Sequence, residues 1–144
     1  MEIFSYFVHR FLFHGILWKI HQTHHGKRHK FPLELNDVFS LIFALISMGL
    51  MVFAQKPLLD SITFPIGLGI ALYGLLYFIL HDLFTHRRFL PFNSDNKLIL
   101  TIRAAHQRHH QSSEKSGLEP YGLFLFDFER YRRKVESGKR KIES

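Results

Sequence analysis

The stretch "HRFLFHGILWKIHQTHH", His9 to His25, sets histidines at 9, 14, 21, 24 and 25, five residues apart and then in a three-plus-one cluster. The second half of the chain repeats both spacings, with "HDLFTH" running from His81 to His86 and "HQRHH" from His106 to His110. Ten of the eleven histidines fall in these four boxes. His29, in "KRHK", stands outside them and reads as solvated linker.

On a regular helix, His21, His24 and His25 lie within about 100° of one another, so their rings are expected to converge on one face. His106, His109 and His110 repeat the arrangement, and two such helices would offer six nitrogens to a shared cavity. His9 and His14 are about 140° apart on a regular helix, which predicts that the members of each five-spaced pair serve different ions. His14 shares the stripe of His21 and His25, seven and eleven residues on. Two ions account for the ten ligands better than one. Imidazoles left uncompensated near a membrane are costly, which argues against purely structural roles.

Imidazole suits Zn, Fe, Cu and Ni alike. Zinc hydrolases typically use three protein ligands and a general base, whereas ten histidines around two ions in an oily protein suit oxygen activation. Asp82, next to His81, and Asp37 are the candidate carboxylates for holding a ligand's second nitrogen and fixing its tautomer. Each is also a candidate helix cap or surface charge.

At 144 residues the chain is expected to form one domain, 1–128, followed by a basic tail, 129–144, that reads as a solvated end with some attraction to anionic lipid. It is 47% hydrophobic and contains sixteen Phe, yet carries a net charge of +7, so apolar and basic residues are segregated. Cysteine is absent, which excludes disulfides, thiolate ligands and iron–sulfur ligation within the chain. Two uncharged runs, Val38 to Ala54 and Ile62 to Leu80, reach roughly 26 to 29 Å as helices, close to the roughly 30 Å of a bilayer core. "QKPLLDS" between them suits a hairpin turn, and Gly67 and Ala71 would let the two helices approach closely. A pair of buried helices in a soluble bundle is the alternative, and two uninterrupted runs side by side argue against it.

Of the nineteen Lys and Arg, only Lys56 lies in that turn, so the positive-inside rule puts the turn outside and the histidine boxes on the cytoplasmic side. The expected fold is therefore all-α: an integral membrane helical bundle with a transmembrane hairpin and cytoplasmic, histidine-bearing helix ends. Topology also accounts for the basic charge, which leaves no case for nucleic-acid binding.

The box order, together with "LELNDVFSLIFA", "LYGLLYFILHD", "AAHQRHH" and "GLFLF", resembles the bacterial beta-carotene hydroxylase family within the membrane fatty-acid hydroxylase superfamily, from Glu2 to Phe126. The resemblance implies a multi-pass, non-haem di-iron monooxygenase that hydroxylates carbon 3 of beta-ionone rings, turning beta-carotene into beta-cryptoxanthin and zeaxanthin. It implies iron ligation by His9, His14, His21, His24, His25, His81, His86, His106, His109 and His110. O2 is the co-substrate, the carotenoid comes from the lipid phase, and electrons come from reduced ferredoxin fed by NAD(P)H.

The residues themselves require a separate electron donor. There is no cysteine, and "GLGIAL" at Gly67 lacks the third glycine of a dinucleotide fingerprint and lies within an apolar run. Arg87, Arg88, Arg103 and Arg108 are candidates for docking an acidic redox protein, with topology alone as the other explanation. Members of the family usually carry a further apolar stretch before the first box, so a start at "MEIFSYFVHR" is expected to be late or truncated. The competing functions are a fatty acyl or sterol hydroxylase or desaturase of the same superfamily, and a non-enzymatic membrane metal-binding protein.

Overall fold

The computed structural model describes residues 1–26, 31–54 and 60–140, apart from the side chains of 139 and 140. His29 and most of the expected hairpin turn lie outside the described residues. Among those described there are helices and no strands.

Helix α1 (Glu2–Phe7) runs directly into a π-helical segment, Val8–Ile16, which kinks at Gly15 and hands over to α2 (Trp18–His25). Next comes α3 (Asp37–Val52). The second half then repeats the plan of the first: α4 (Thr63–Tyr77) runs into a second π-helical segment, Phe78–Thr85, followed by α5 (Lys97–His109). The last helix is α6 (Phe128–Arg140). Local chemistry sets several of these starts. Asn96 Oδ1 accepts from the Leu98 N–H at 2.8 Å and caps α5. Asp37 puts a carboxylate in the first turn of α3, where the helix dipole favours it.

Helices α3 and α4 lie against each other, and Gly67 marks their close approach. A Cβ at Gly67 would stand 2.8 Å from the Ser47 carbonyl oxygen. The Ser47 hydroxyl donates to the Gly67 carbonyl at 2.7 Å across the same contact. This is the small-residue packing expected at Gly67. The continuous helix Thr63–Thr85, 23 residues, is long and apolar enough to cross a membrane, while Asp37–Val52 is apolar but shorter.

Polarity is distributed inside out. Leu41, Leu45 and Ile46 on α3 and Ile66, Leu72 and Leu75 on α4 are exposed, whereas eight histidines are buried. Outward apolar faces of this extent require lipid or a partner. A small apolar core of Leu80, Ile102 and Leu123, flanked by Tyr77, Ile99 and Phe126, ties the second π segment to α5 and the C-terminal segment. The basic tail, expected to be a solvated end, is mostly helix α6. Its Tyr131 is buried and meets Phe126 edge to face, with ring centroids 5.6 Å apart.

Candidate metal centre

Ten imidazoles gather into two groups of five. His9, His14, His21, His25 and His109 form the first, and His24, His81, His86, His106 and His110 the second. Within each group the candidate ligand nitrogens all lie within 4.8 Å of one another. Every ring of the first is buried, whereas His86 and His110 in the second are half-buried.

The five-spaced pairs were expected to divide between ions, and they do not. His9 and His14 sit together, as do His81 and His86. The reason is the backbone. Both boxes lie on π-helical turns, where hydrogen bonds run from i+5 to i and bring residues five apart onto one face. The His86 N–H donates to the His81 carbonyl at 2.8 Å, and the Leu17 N–H to the Leu12 carbonyl at 2.9 Å. Ring centroids of His81 and His86 are then 4.5 Å apart, and those of His9 and His14 5.1 Å.

The three-plus-one boxes also behave differently from the single convergent face expected. In each, the pair four apart stays together and the remaining histidine crosses over. His21 and His25 serve the first cluster while His24 joins the second; His106 and His110 serve the second while His109 joins the first. On a helix, positions i+3 and i+4 fall about 60° and 40° to opposite sides of position i, so one box can face two cavities. Helices α2 and α5 thus exchange one imidazole each. The stacked rings of His25 and His110, centroids 4.3 Å apart, lie where the clusters meet.

In the first cluster the outer nitrogens are all engaged. The Nδ1 atoms of His9, His14, His25 and His109 meet the carbonyl oxygens of Tyr121, Lys115, Ser112 and Leu118 at 2.7, 3.0, 3.0 and 2.6 Å. Four carbonyls, each three residues after the last, thus come from one loop wrapped over the cluster. Asn36 Oδ1 takes the fifth, His21 Nδ1, at 2.7 Å. Gly117 in that loop has φ +61°, and a Cβ there would stand 2.9 Å from the His14 ring. Glycine meets both demands, the left-handed backbone and the close approach.

These contacts fix the tautomer. A carbonyl oxygen only accepts, so each Nδ1 carries the proton and each Nε2 presents a bare lone pair. Yet His9 and His21 bring their Nε2 atoms to 2.9 Å, and His14 and His109 theirs to 3.2 Å. Two lone pairs at that distance repel unless a cation lies between them. His25 Nε2 and, in the second cluster, His110 Nε2 are buried with no hydrogen-bond partner among the described residues. Burial pushes the His21 and His109 pKa down to about 3 and His25 down to about 4, so the rings stay neutral. Neutral, inward-facing imidazole nitrogens are a donor set that fits a transition-metal ion.

Side chains rather than backbone surround the second cluster. Glu34 Oε2 meets His24 Nδ1 at 2.8 Å. Asp82 Oδ1 stands 3.5 Å from His81 Nδ1 and accepts from Arg88 Nη1 at 2.7 Å. Asp37 touches no ligand ring. Its Oδ2 accepts from Arg88 Nη2 at 2.5 Å and from the Glu34 N–H at 2.9 Å, because its place at the start of α3 aims it at the preceding loop. Buried Arg88 also donates to the Pro32 carbonyl at 2.7 and 2.9 Å, so it joins the loop before α3 to the end of the second π segment. The docking role considered for Arg88 gives way to this inward one. Arg103 likewise turns inward, its guanidinium 3.6 Å from the centre of the Phe84 ring. A cavity of about 290 Å³, lined in part by His24, Glu34, His86, Arg88 and His110, opens beside the cluster.

Sequence reasoning passed over Glu34 and Asn36 as second-nitrogen partners and Arg88 as the residue that joins Asp82 and Asp37. The available signal was "ELND": three polar side chains at the entry to an apolar helix, where the chain returns to the cluster.

The chain matches the family model described as fatty acid hydroxylase over residues 1–130. It is 40% identical to "Beta-carotene 3-hydroxylase 1, chloroplastic" of Arabidopsis thaliana, over 87% of this chain and 40% of that protein. The same figures hold for "Beta-carotene hydroxylase 1, chloroplastic" of Capsicum annuum. Against "Beta-carotene hydroxylase" of Pseudescherichia vulneris it is 34% identical, over 85% of this chain and 69% of that protein. The chain therefore belongs to the fatty acid hydroxylase family and, within it, to the beta-carotene hydroxylases. It spans about two fifths of the length of the plant relatives. No solved structure matches it.

Proposed function

We propose that this protein is a membrane di-iron monooxygenase that hydroxylates beta-carotene at carbon 3 of its beta-ionone rings, giving beta-cryptoxanthin and then zeaxanthin. The observation that carries the reading is the pair of five-imidazole clusters, in the first of which Nε2 lone pairs face one another at distances that a cation between them reconciles. His9, His14, His21, His25 and His109 would hold one iron, and His24, His81, His86, His106 and His110 the other. When bound, the irons supply the O2-dependent oxidation of a C–H bond, in which one oxygen atom enters the product and the other leaves as water with two external electrons and two protons.

The chain's own residues position and insulate that chemistry. The carbonyls of residues 112–121 and the Asn36 amide hold the first set of rings in one tautomer. Glu34 does the same for His24. Burial of all five rings of the first cluster keeps bulk water from that position, while the cavity beside the second leaves a way in. The exposed apolar faces of α3 and α4 would lie in lipid, from which a carotenoid arrives without crossing water. In this reading α3 and α4 form a transmembrane hairpin with the turn outside and the histidine clusters on the cytoplasmic side. There a separate reductant, of which reduced ferredoxin fed by NAD(P)H is the family's example, would deliver electrons.

Expression in cells that accumulate beta-carotene, followed by pigment analysis, tests the reading: beta-cryptoxanthin and zeaxanthin should appear. A well-expressed, iron-loaded protein that leaves beta-carotene untouched while hydroxylated acyl chains or sterols accumulate would move the substrate to that class. Exchangeable zinc in place of about two irons per chain would point to a metal-binding protein without this activity.

A further inference from the structure

We propose that the two metal positions are unequal, and that the cluster containing His24 binds its ion about 10–100-fold more tightly than the cluster containing His14, because a carboxylate, Glu34, backs one of its imidazoles. The proposal rests on the two-ion reading above.

All five outer nitrogens of the first cluster rest on neutral oxygens, four backbone carbonyls and the Asn36 amide. Such partners orient a ring and fix its tautomer but add no charge. In the second cluster His24 Nδ1 meets a carboxylate at 2.8 Å. A hydrogen bond to a carboxylate draws the ring proton outward and makes the inward nitrogen a stronger donor to a cation.

Arg88 could cancel this effect, and the distances decide that it does not. Its guanidinium is engaged by Asp82 at 2.7 Å and Asp37 at 2.5 Å, while Glu34 stands 3.9 Å away. Glu34 is thus left to the imidazole. Three carboxylates and one guanidinium sum to a formal charge of −3 + 1 = −2 beside the second cluster. The clusters therefore differ in the charge behind otherwise similar sets of rings. Glu34 and Asn36 are two residues apart on one loop, so a single short segment sets the partner of one ring in each cluster.

The test is an anaerobic titration of the full-length, metal-free protein in detergent micelles with Fe2+ alone, read by competition with a chromophoric chelator. Two steps about 10–100-fold apart are expected, and 57Fe added as the first equivalent should give a Mössbauer doublet distinct from that of the second. Glu34→Gln keeps an acceptor on His24 without the charge and should bring the tight step down to the weak one. Glu34→Asp should restore part of the gap. Asn36→Asp should strengthen the weak step and narrow the gap from the other side, which also decides the matter if Glu34→Gln fails to fold. Two equivalents bound with one affinity would overturn the inequality, and an Asn36→Asp or folded Glu34→Gln protein that titrates like the parent would overturn the Glu34 carboxylate as its cause; either result leaves the two-ion reading standing. A folded parent chain that holds no iron would overturn the two-ion reading itself.

Discussion

The first cluster is held by a loop and the second is flanked by charged side chains, although both are built from the same two kinds of box and share the two three-plus-one boxes. Carbonyls at 112, 115, 118 and 121 close over the first, whereas Glu34, Asp82 and Arg88 gather around the second. Four backbone acceptors impose a shape that depends on the loop's path and little on its composition. Charged side chains add a field that a single substitution removes. Damage to the first cluster should therefore come from backbone changes, and damage to the second from charge changes.

The sharpest way to break this separation uses two residues three apart on α5. On the proposed two-iron function, His109→Ala should empty the first cluster and His106→Ala the second, each lowering iron from two equivalents per chain to one and abolishing carotenoid hydroxylation. Elemental analysis of the purified proteins checks this. Loss of both irons from either variant would mean that the clusters form one cooperative site, joined where His25 stacks on His110.

Acid should act next most strongly, on the metal-free protein. In the folded chain the His21 and His109 pKa lies at about 3 and that of His25 at about 4, all pushed down by burial from an ordinary 6.5. As pH falls below 6.5 the unfolded chain takes up protons that the folded chain refuses, so stability declines until the folded groups also titrate near 3 to 4. Urea midpoints at pH 7.5, 5.5 and 4.5 should fall in that order, and a flat series would remove burial as the cause of neutrality.

Arg88→Ala tests the charged side. It leaves Asp82 and Asp37 without their shared partner, at a cost of about 3 kcal/mol, the low end for a broken buried pair because Asp37 is 28% exposed. Iron should be lost from the second cluster first, leaving the first cluster's Mössbauer doublet. The matching backbone test is Gly117→Ala, which strains a left-handed residue by about 1–3 kcal/mol and presses on the His14 ring. Its iron loss should begin with the first cluster. Reversed order in either variant contradicts the division of labour.

The same division explains what was legible in the sequence. Histidine spacing named the ten rings, because side chains carry that signal, and the apolar runs marked α3 and α4 for the same reason. The acceptors over the first cluster are main-chain oxygens, which every residue has, so "SSEKSGLEPY" showed only a loop. The π turns were missed for a related cause: regular helix geometry was applied to a five-residue spacing that only a wider turn can align. Asp82 lies beside a ligand ring and Asp37 does not, yet both end on Arg88, and the Asp37 contact is set by the meeting of segments 51 residues apart. No local pattern announces such a contact.

The smallest expected effect sharpens the comparison at the π turns themselves. The Leu80 carbonyl, just before the box on the second turn, accepts from the Thr85 hydroxyl at 2.7 Å, five residues on. Thr85→Val keeps the shape and removes that donor, and losing one hydrogen bond of this kind costs about 1 kcal/mol. In the first segment the corresponding position, just before His14, is Phe13, which has no hydroxyl to play that part. If the hydroxyl merely supports a turn that the backbone bond from His86 to His81 already closes, the variant should unfold at a slightly lower denaturant concentration with both irons retained. Loss of the second iron would show instead that the wide turn depends on Thr85, and that the two halves hold their five-spaced histidines by different means.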